Sequence, residues 1–445
     1  MKKTLLKNAK LVNEGQIIEG DLLIEGSRIS RIDTEISDDT AEVIDLEAKL
    51  LLPGIIDDQV HFREPGLTHK GSIATESRAA VAGGITSFME QPNTVPQTTT
   101  REKLEAKFGM AAESSFANYS FPFGCTNDNL EELKLLDKKA CSGVKMFLGS
   151  STGNMLVDDE EVIERIFSNT ELVICAHCED ETTIRNNLAH YQSIYGDDIP
   201  VELHPKIRSE EACYLSSSRA VELARQTGAR LHVFHLSTGK ETGLFNHDLP
   251  LQQKKITAEV CIHHLWFSDA DYLEQGTKIK WNPAVKTAAD RAQLWEALLD
   301  DRIDVVATDH APHTLEEKAG VYTKAPSGGP LVQHALPAML ENYHNGKISL
   351  ERIVEKMCHN PAILFDVSGR GFLREGYYAD LAVVDLDATW AVNKGNILYK
   401  CGWSPFEGVS FKSGITHTFV NGHLAYENGI LSEKRNAMRL TFDRD

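Results

Sequence analysis

Hydrophobic and polar positions follow two rhythms along the chain. At the start, the short segments TLLKNAKLV, GQIIEGDLLIEG, RISRID and AEVIDLEAKLLLPG alternate and are bounded by Gly, Asp or Glu-Gly turn signals. This is the period-two pattern of half-buried strands joined in hairpins. Similar pieces return at the far end, in YYADLAVVDLD and GITHTFVNGHLAYENG. Two β-rich ends around a different middle predict one small composite β-sandwich domain built from residues 1–53 and 366–445.

Between them, apolar β-branched runs alternate with long amphipathic stretches such as TREKLEAKFGMAAESS, DDEEVIERIFSN and SEEACYLSSSRAVELARQTG, which have the helical period. The apolar runs are GIIDDQV from Gly54, ITSFMEQ from Ile85, NYSFPFG from Asn118, GVKMFLG from Gly143, LVICAH from Leu172, LHVFHLS from Leu231, ITAEVCI from Ile256 and IDVVATDH from Ile303. Continuous apolar strands interleaved with helices imply a parallel sheet covered on both faces, and eight βα units are the number that closes a barrel. The fold class is therefore α/β, a (β/α)8 TIM-type barrel over residues 54–365. A doubly wound open sheet is the alternative, and the strand count discriminates against it.

Composition narrows the partners. Of 445 residues, 42% are hydrophobic and 25% charged, and no apolar run is long enough for a membrane-spanning helix, which needs roughly 18 residues. The basic start MKKTLLKNAKLVNEGQ lacks a continuous apolar core and a small-residue cleavage site, so it does not read as a signal peptide and a cytoplasmic location is expected. Eight cysteines scattered over the chain point to reduced thiols. The one close pair, Cys175 and Cys178, has no second pair to complete a zinc site, so it reads as buried core thiols. A net charge of −19 and a pI near 5.4 oppose attraction to phosphate backbones and make nucleic acid a poor partner. A small anionic substrate stays compatible with a locally cationic site.

Chemistry-bearing residues collect at the strand ends, where a barrel enzyme builds its site. The first strand ends in Asp57-Asp58-Gln59-Val60-His61-Phe62-Arg63, the fourth carries Lys145, the fifth ends in His177, the sixth in His235, and the eighth in Asp309-His310-Ala311-Pro312-His313. One such histidine alone is a core residue more often than a ligand. Their joint placement points to converging imidazole and carboxylate ligands for zinc or a similar divalent ion. Lys145 reads in two ways: a lysine paired to a carboxylate, or a desolvated amine that loses its proton and adds carbon dioxide to give a carbamate.

The stretches PGIID from Pro53, VHFREPG from Val60, QPNT from Gln91, GVKMF from Gly143, AHCED from Ala176, HLST from His235, ATDHAPH from Ala307 and ADLAVVD from Ala379 follow one another in order. In these the sequence resembles the amidohydrolase superfamily and, within it, the dihydroorotases, over nearly its whole length. The resemblance implies a zinc cluster held by His61, Lys145 as a carbamate, His177, His235 and Asp309. It also implies substrate contacts from Asn93, Asn282 and His313, and a homodimer. The family's first strand carries His-x-His, whereas this chain has Gln59 at the first of those positions. An amide oxygen is a weaker zinc ligand than imidazole, so one firm zinc at Lys145, His177 and His235 is expected, with a second, weaker one at His61 and Asp309.

Arg63, two residues beyond His61, is placed to clamp a carboxylate with its planar guanidinium. His263 and His264 read as supporting or core residues, and KAPSGGPLVQH from Lys324 as a mobile loop over the site, with Gln333 where relatives carry Glu. In the expected reaction, reversible hydrolysis of dihydroorotate to N-carbamoyl-aspartate, Asp309 moves the proton from attacking water to the leaving nitrogen. The alternatives are allantoinase or dihydropyrimidinase/hydantoinase activity and, from another class, an inactive homologue acting as a partner protein, for which Gln59 is the motive.

Overall fold

The computed structural model describes residues 2–149 and 154–444. Eight parallel barrel strands follow in order: Ile55–Val60, Ile85–Glu90, Asn118–Ser120 continued by Phe123–Gly124, Val144–Phe147, Ile174–His177, Leu231–Val233, Ile256–Cys261 and Val305–Ala307. Nearly every residue in them is buried, as expected of strands covered on both faces. The third strand breaks at Phe121-Pro122, where proline offers no N–H to the ladder. The other seam closes by the bridge between Val60 and His310 and by the His61 amide donating to the His310 carbonyl at 2.7 Å.

Local signals set the surrounding helices. Ser72 caps Ile73–Ala82 in a reciprocal box with Thr75, Thr100 caps Arg101–Ser114, and Asp159 caps Glu160–Asn169. Glu210–Thr227 starts at Ser209 and stops at Gly228, whose φ of +72° is the left-handed conformation that glycine adopts without strain. Among the described residues, no helix is long and apolar enough to cross a membrane.

The chain ends meet in one nine-stranded sheet. Leu381–Asp385 pairs antiparallel with Leu50–Pro53, which lies beside Lys3–Asn13. Leu6, Leu11, Leu22, Ile24, Leu51, Leu381, Val383 and Phe419 form its core. Past this sheet the tail returns to the barrel: Leu440 donates its amide to the Tyr119 carbonyl at 2.9 Å, and Leu440 and Phe442 pack with Ile56, Val173, Phe234 and Val305. The tail thereby covers barrel-core side chains on which the strand ends depend.

Candidate active site

Lys145 and His177 stand within the ladder of their strands, whereas Arg63, His235 and Asp309 lie just past the ends of theirs. Arg63, His235 and Asp309 have φ of 75°, 41° and 48°, left-handed values that cost a residue with a Cβ about a kcal/mol or more. All three are buried, so the surrounding packing holds that strain and aims the side chains.

Two groups of ligand-type atoms result. In the first, His61 Nε2 stands 3.1 Å from Asp309 Oδ1, and its other ring nitrogen lies 2.8 Å from Asn93 Oδ1. The Asn93 oxygen accepts from Nδ1–H, which leaves the Nε2 lone pair facing the carboxylate side. Gln59 sits beside them, its Nε2 3.4 Å from Asp309 Oδ1 and its oxygen 3.7 Å from the Cys261 thiol. In the second group, His177 Nδ1 and His235 Nε2 face each other at 3.0 Å, and His177 Nε2 lies 3.0 Å from Glu179, without hydrogen-bond alignment. Arg208 holds the Glu179 carboxylate, which stays down at about 2 despite full burial.

Lys145 lies within electrostatic reach of both groups. Its Nζ sits 3.9 Å from the centre of the Phe234 ring and 4.7 Å from that of Phe147. Burial pushes its amine down to about 8, against the pull of Cys175, Glu259 and Asp309. Burial also pushes down His61, His177 and His235, with the Lys145 charge adding to the effect. Neutral imidazoles are the form that binds metal.

The donor set fits a divalent cation. Two ring nitrogens at 3.0 Å, and a nitrogen and a carboxylate oxygen at 3.1 Å, approach the spacing of roughly 3.3 Å between ligands 2.0–2.2 Å from a tetrahedral ion. His235 Nδ1 is buried with no partner, an orphan that the described structure does not satisfy.

The expected substrate contacts are partly committed within the chain. Arg63 Nε donates to the Pro312 carbonyl at 3.1 Å, and Nη2 lies 3.0 Å from His313 Nε2. His313 donates from Nε2 to the Ser327 carbonyl at 3.0 Å and accepts at Nδ1 from Lys70 Nζ at 3.0 Å. Burial and the charges of Arg63, Lys70 and Lys318 keep the His313 ring well below its ordinary pKa. The Asn282 side-chain oxygen is buried and unpartnered. His264 donates to the Pro283 carbonyl at 3.2 Å, and His263 stacks on Trp281 with ring centres 4.3 Å apart.

The segment from Lys324, which its Gly and Pro content suggests is mobile, is tied down. The buried Lys318 ammonium donates to the carbonyls of Pro326 and Gly328 at 2.9 and 2.8 Å, and Gly329 pairs with His310. Gln333 is occupied away from the site, bonded to Asn396 and Leu398. A cavity of about 750 Å³ lies outside the barrel, lined by residues such as Leu156, Ile163, Leu215 and Leu223. None of the candidate residues lines it.

Asp58, named in the run that ends the first strand, meets His232 and Glu259, which sequence reasoning passed over, inside the barrel with three ligand atoms within 4.8 Å of one another. His232 precedes the HLST stretch by three residues and Glu259 lies in none of the quoted stretches; the register that sets His232 opposite Thr257, two residues before Glu259, brings them together.

Residues 50–425 match the family described as Amidohydrolase family. The chain is 34% identical over 406 residues to a protein named Dihydroorotase from Halobacterium salinarum, covering 90% of this chain and 92% of that protein. It is 32% identical over 430 residues to a Dihydroorotase from Pediococcus pentosaceus, covering 96% and 99%. Among solved structures, an L-hydantoinase (dihydropyrimidinase) from Arthrobacter aurescens superposes with a TM-score of 0.94 at 28% identity, over 99% of this chain and all of that one. A dihydropyrimidinase from Brevibacillus agri has a TM-score of 0.90 at 22% identity over the full length of both, a likeness of fold alone.

Proposed function

The chain belongs to the amidohydrolase family and is a cyclic amide hydrolase, and from that premise we propose that its substrate pair is dihydroorotate and N-carbamoyl-aspartate. The observation that carries this reading is Arg63. The residue is 7% exposed, and burial pushes its guanidinium down to about 10 against the longer-range pull of Asp309, Glu90 and Glu317. A buried cation whose carboxylates stand off without a direct ion pair is costly. A substrate carboxylate supplies the missing charge, and the neutral rings of hydantoin and dihydrouracil do not.

We assign the ligands of a divalent cation, zinc by its donor chemistry, to His61, His177, His235, Asp309 and Lys145, with Gln59 as a weak neighbour. Lys145 serves as a carbamate, because an amine near 8 has an accessible neutral form that can add carbon dioxide. When bound, the cation supplies Lewis acidity that acidifies water and polarises the amide carbonyl. The remaining work falls to the chain. Arg63 fixes the carboxylate end of the ring. The Asn93 amide nitrogen, which makes no hydrogen bond to the described residues, and the unpartnered Asn282 oxygen complement the ring's acceptor and donor. Asp309 takes a proton from water as the C–O bond forms and returns it to the ring nitrogen as the C–N bond breaks. Cyclisation runs the same steps in reverse. The proposal includes a homodimer, which rests on the family resemblance and is tested by sedimentation, and the cytoplasmic location expected from the sequence, tested by fractionation.

Dihydroorotate, N-carbamoyl-aspartate, hydantoin, dihydrouracil and allantoin assayed side by side decide the substrate. We expect turnover of the first two, and Arg63→Ala to lower kcat/KM for dihydroorotate about a hundredfold, the loss of about 3 kcal/mol of charge-assisted hydrogen bonding. The likeness to the L-hydantoinase structure favours one second reading. Under it, hydantoin is the better substrate and Arg63→Ala leaves turnover unchanged. Turnover of none of the five leaves the inactive-partner alternative.

A further inference from the structure

Beneath the strand-end residues, the barrel interior holds Asp58 from the first strand, His232 from the sixth and Glu259 from the seventh, with side chains fully buried. His232 Nε2 stands 3.4 Å from Asp58 Oδ2 and 3.3 Å from Glu259 Oε2. Neither Asp58 oxygen has a hydrogen-bond partner.

The Thr257 hydroxyl lies 2.8 Å from His232 Nδ1 and 3.3 Å from the Leu231 carbonyl oxygen and anchors the ring from behind. Nε2 faces two carboxylates, and what stands between them is either a proton or a cation.

Geometry favours the cation. The hydrogen bond to Glu259, at 3.3 Å, is long beside the roughly 2.7–2.9 Å of a charge-assisted N–H···O bond, and a proton on Nε2 leaves both buried Asp58 oxygens without a hydrogen bond. Spacings of 3.3–3.4 Å match the edge of a tetrahedron of N and O ligands about 2.0–2.2 Å from a central ion, which would engage those orphaned oxygens as well.

We propose that Asp58, His232 and Glu259 form a buried site for a divalent transition-metal ion of the zinc class, separate from the ligand set of the active site and independent of the dihydroorotate reading. Both Asp58 oxygens are free to chelate, so with His232 Nε2 and Glu259 Oε2 the site offers four donor atoms. The mixed imidazole and carboxylate set suits zinc rather than a softer or harder ion. Thr257 holds the imidazole from behind, as the outer partners of metal-bound histidines do. The remaining Glu259 oxygen, Oε1, accepts from the His235 amide at 3.2 Å, which couples this ion to the strained backbone that aims His235.

The test uses full-length protein stripped with a chelator and reloaded with zinc chloride. Crystals measured at the zinc edge are expected to show an anomalous peak within bonding distance of Asp58, His232 Nε2 and Glu259. In solution, Asp58→Asn is expected to hold one equivalent of zinc less than the unaltered chain, and His177→Asn to lose zinc from the active site while keeping the peak at Glu259. Absence of that peak in the unaltered protein overturns the proposal, because a proton scatters nothing at this edge. Equal zinc content in folded Asp58→Asn and unaltered protein overturns it as well. If Asp58→Asn does not fold, the unaltered crystal decides.

Discussion

Lys145 shows at the scale of one residue how burial becomes a measurable property. Its amine sits over two aromatic rings and is pushed from the ordinary 10.5 down to about 8 by desolvation. Between those values the unfolded chain binds more protons at this lysine than the folded one, so its contribution to stability rises with pH over about 8 to 10.5. Below pH 8 both states are protonated and the penalty of burying the charge is felt in full. For ion-free protein, a plot of Tm against pH is expected to climb across that window and to flatten in Lys145→Met, whose side chain fills the same space uncharged. Lys280, also pushed to about 8, is common to both proteins and cancels in the difference. Parallel curves would contradict the buried, cationic Lys145. The identities of Lys145, His61, His177, His235 and Asp309 as candidates were legible because each lies in or just past an apolar run. The left-handed backbone at Arg63, His235 and Asp309 was not, because a conformation costly to each residue alone is set by what packs around it.

Among elements, the helices were the most legible, since their caps are written beside them, as Ser209 and Gly228 are for Glu210–Thr227. The strand NYSFPFG also carried its own interruption in Pro122. The segment over the site was not legible from its Gly and Pro content, because the Lys318 ammonium that ties it lies outside that segment. Gly329 measures how tightly this segment fits. A Cβ there would stand 2.7 Å from the Trp281 ring and 3.2 Å from that of Trp403. Trp281 donates to the Asp309 carbonyl, and Trp403 to that of His313 at 2.7 Å. Gly329→Ala must therefore displace indole rings that brace two candidate site residues, at a cost of about 1–3 kcal/mol. We expect a lowered Tm and, in folded protein, kcat/KM reduced about tenfold or more, since misplacement by an ångström costs up to a hundredfold. Gly243→Ala, where an added Cβ meets nothing within 4 Å, is the control. Equal kcat/KM in the two variants would show that the segment does not brace the site.

At the scale of the whole molecule, the two chain ends meet in one sheet, and the last residues then return to the barrel. The sheet joining Leu50–Pro53 to Leu381–Asp385 was foreshadowed by alternating patterns at both ends. The path of the last residues was not, because Met438, Leu440 and Phe442 alternate like any short strand and carry no mark of which partner they join. Leu440 is fully buried and Phe442 is 2% exposed, packed with barrel residues that include Val173, Phe234 and Val305. Arg444 fastens this tail by donating to the carbonyls of Lys138, Cys141 and Ser142 at 3.1, 2.7 and 2.9 Å. A buried phenylalanine truncated to alanine costs about 3–5 kcal/mol in lost transfer energy and cavity. Phe442→Ala is therefore expected to lower the urea midpoint by that loss divided by the slope of the transition, with the slope unchanged if the tail and barrel unfold together. Phe234, which contacts this tail cluster, also lies under the Lys145 amine and one residue from His235. Loosening the tail should thus weaken zinc binding at the strand ends as well as the fold. A variant that loses the full 3–5 kcal/mol yet binds zinc as tightly as the unaltered chain would show that the tail stabilises the barrel without reaching its site.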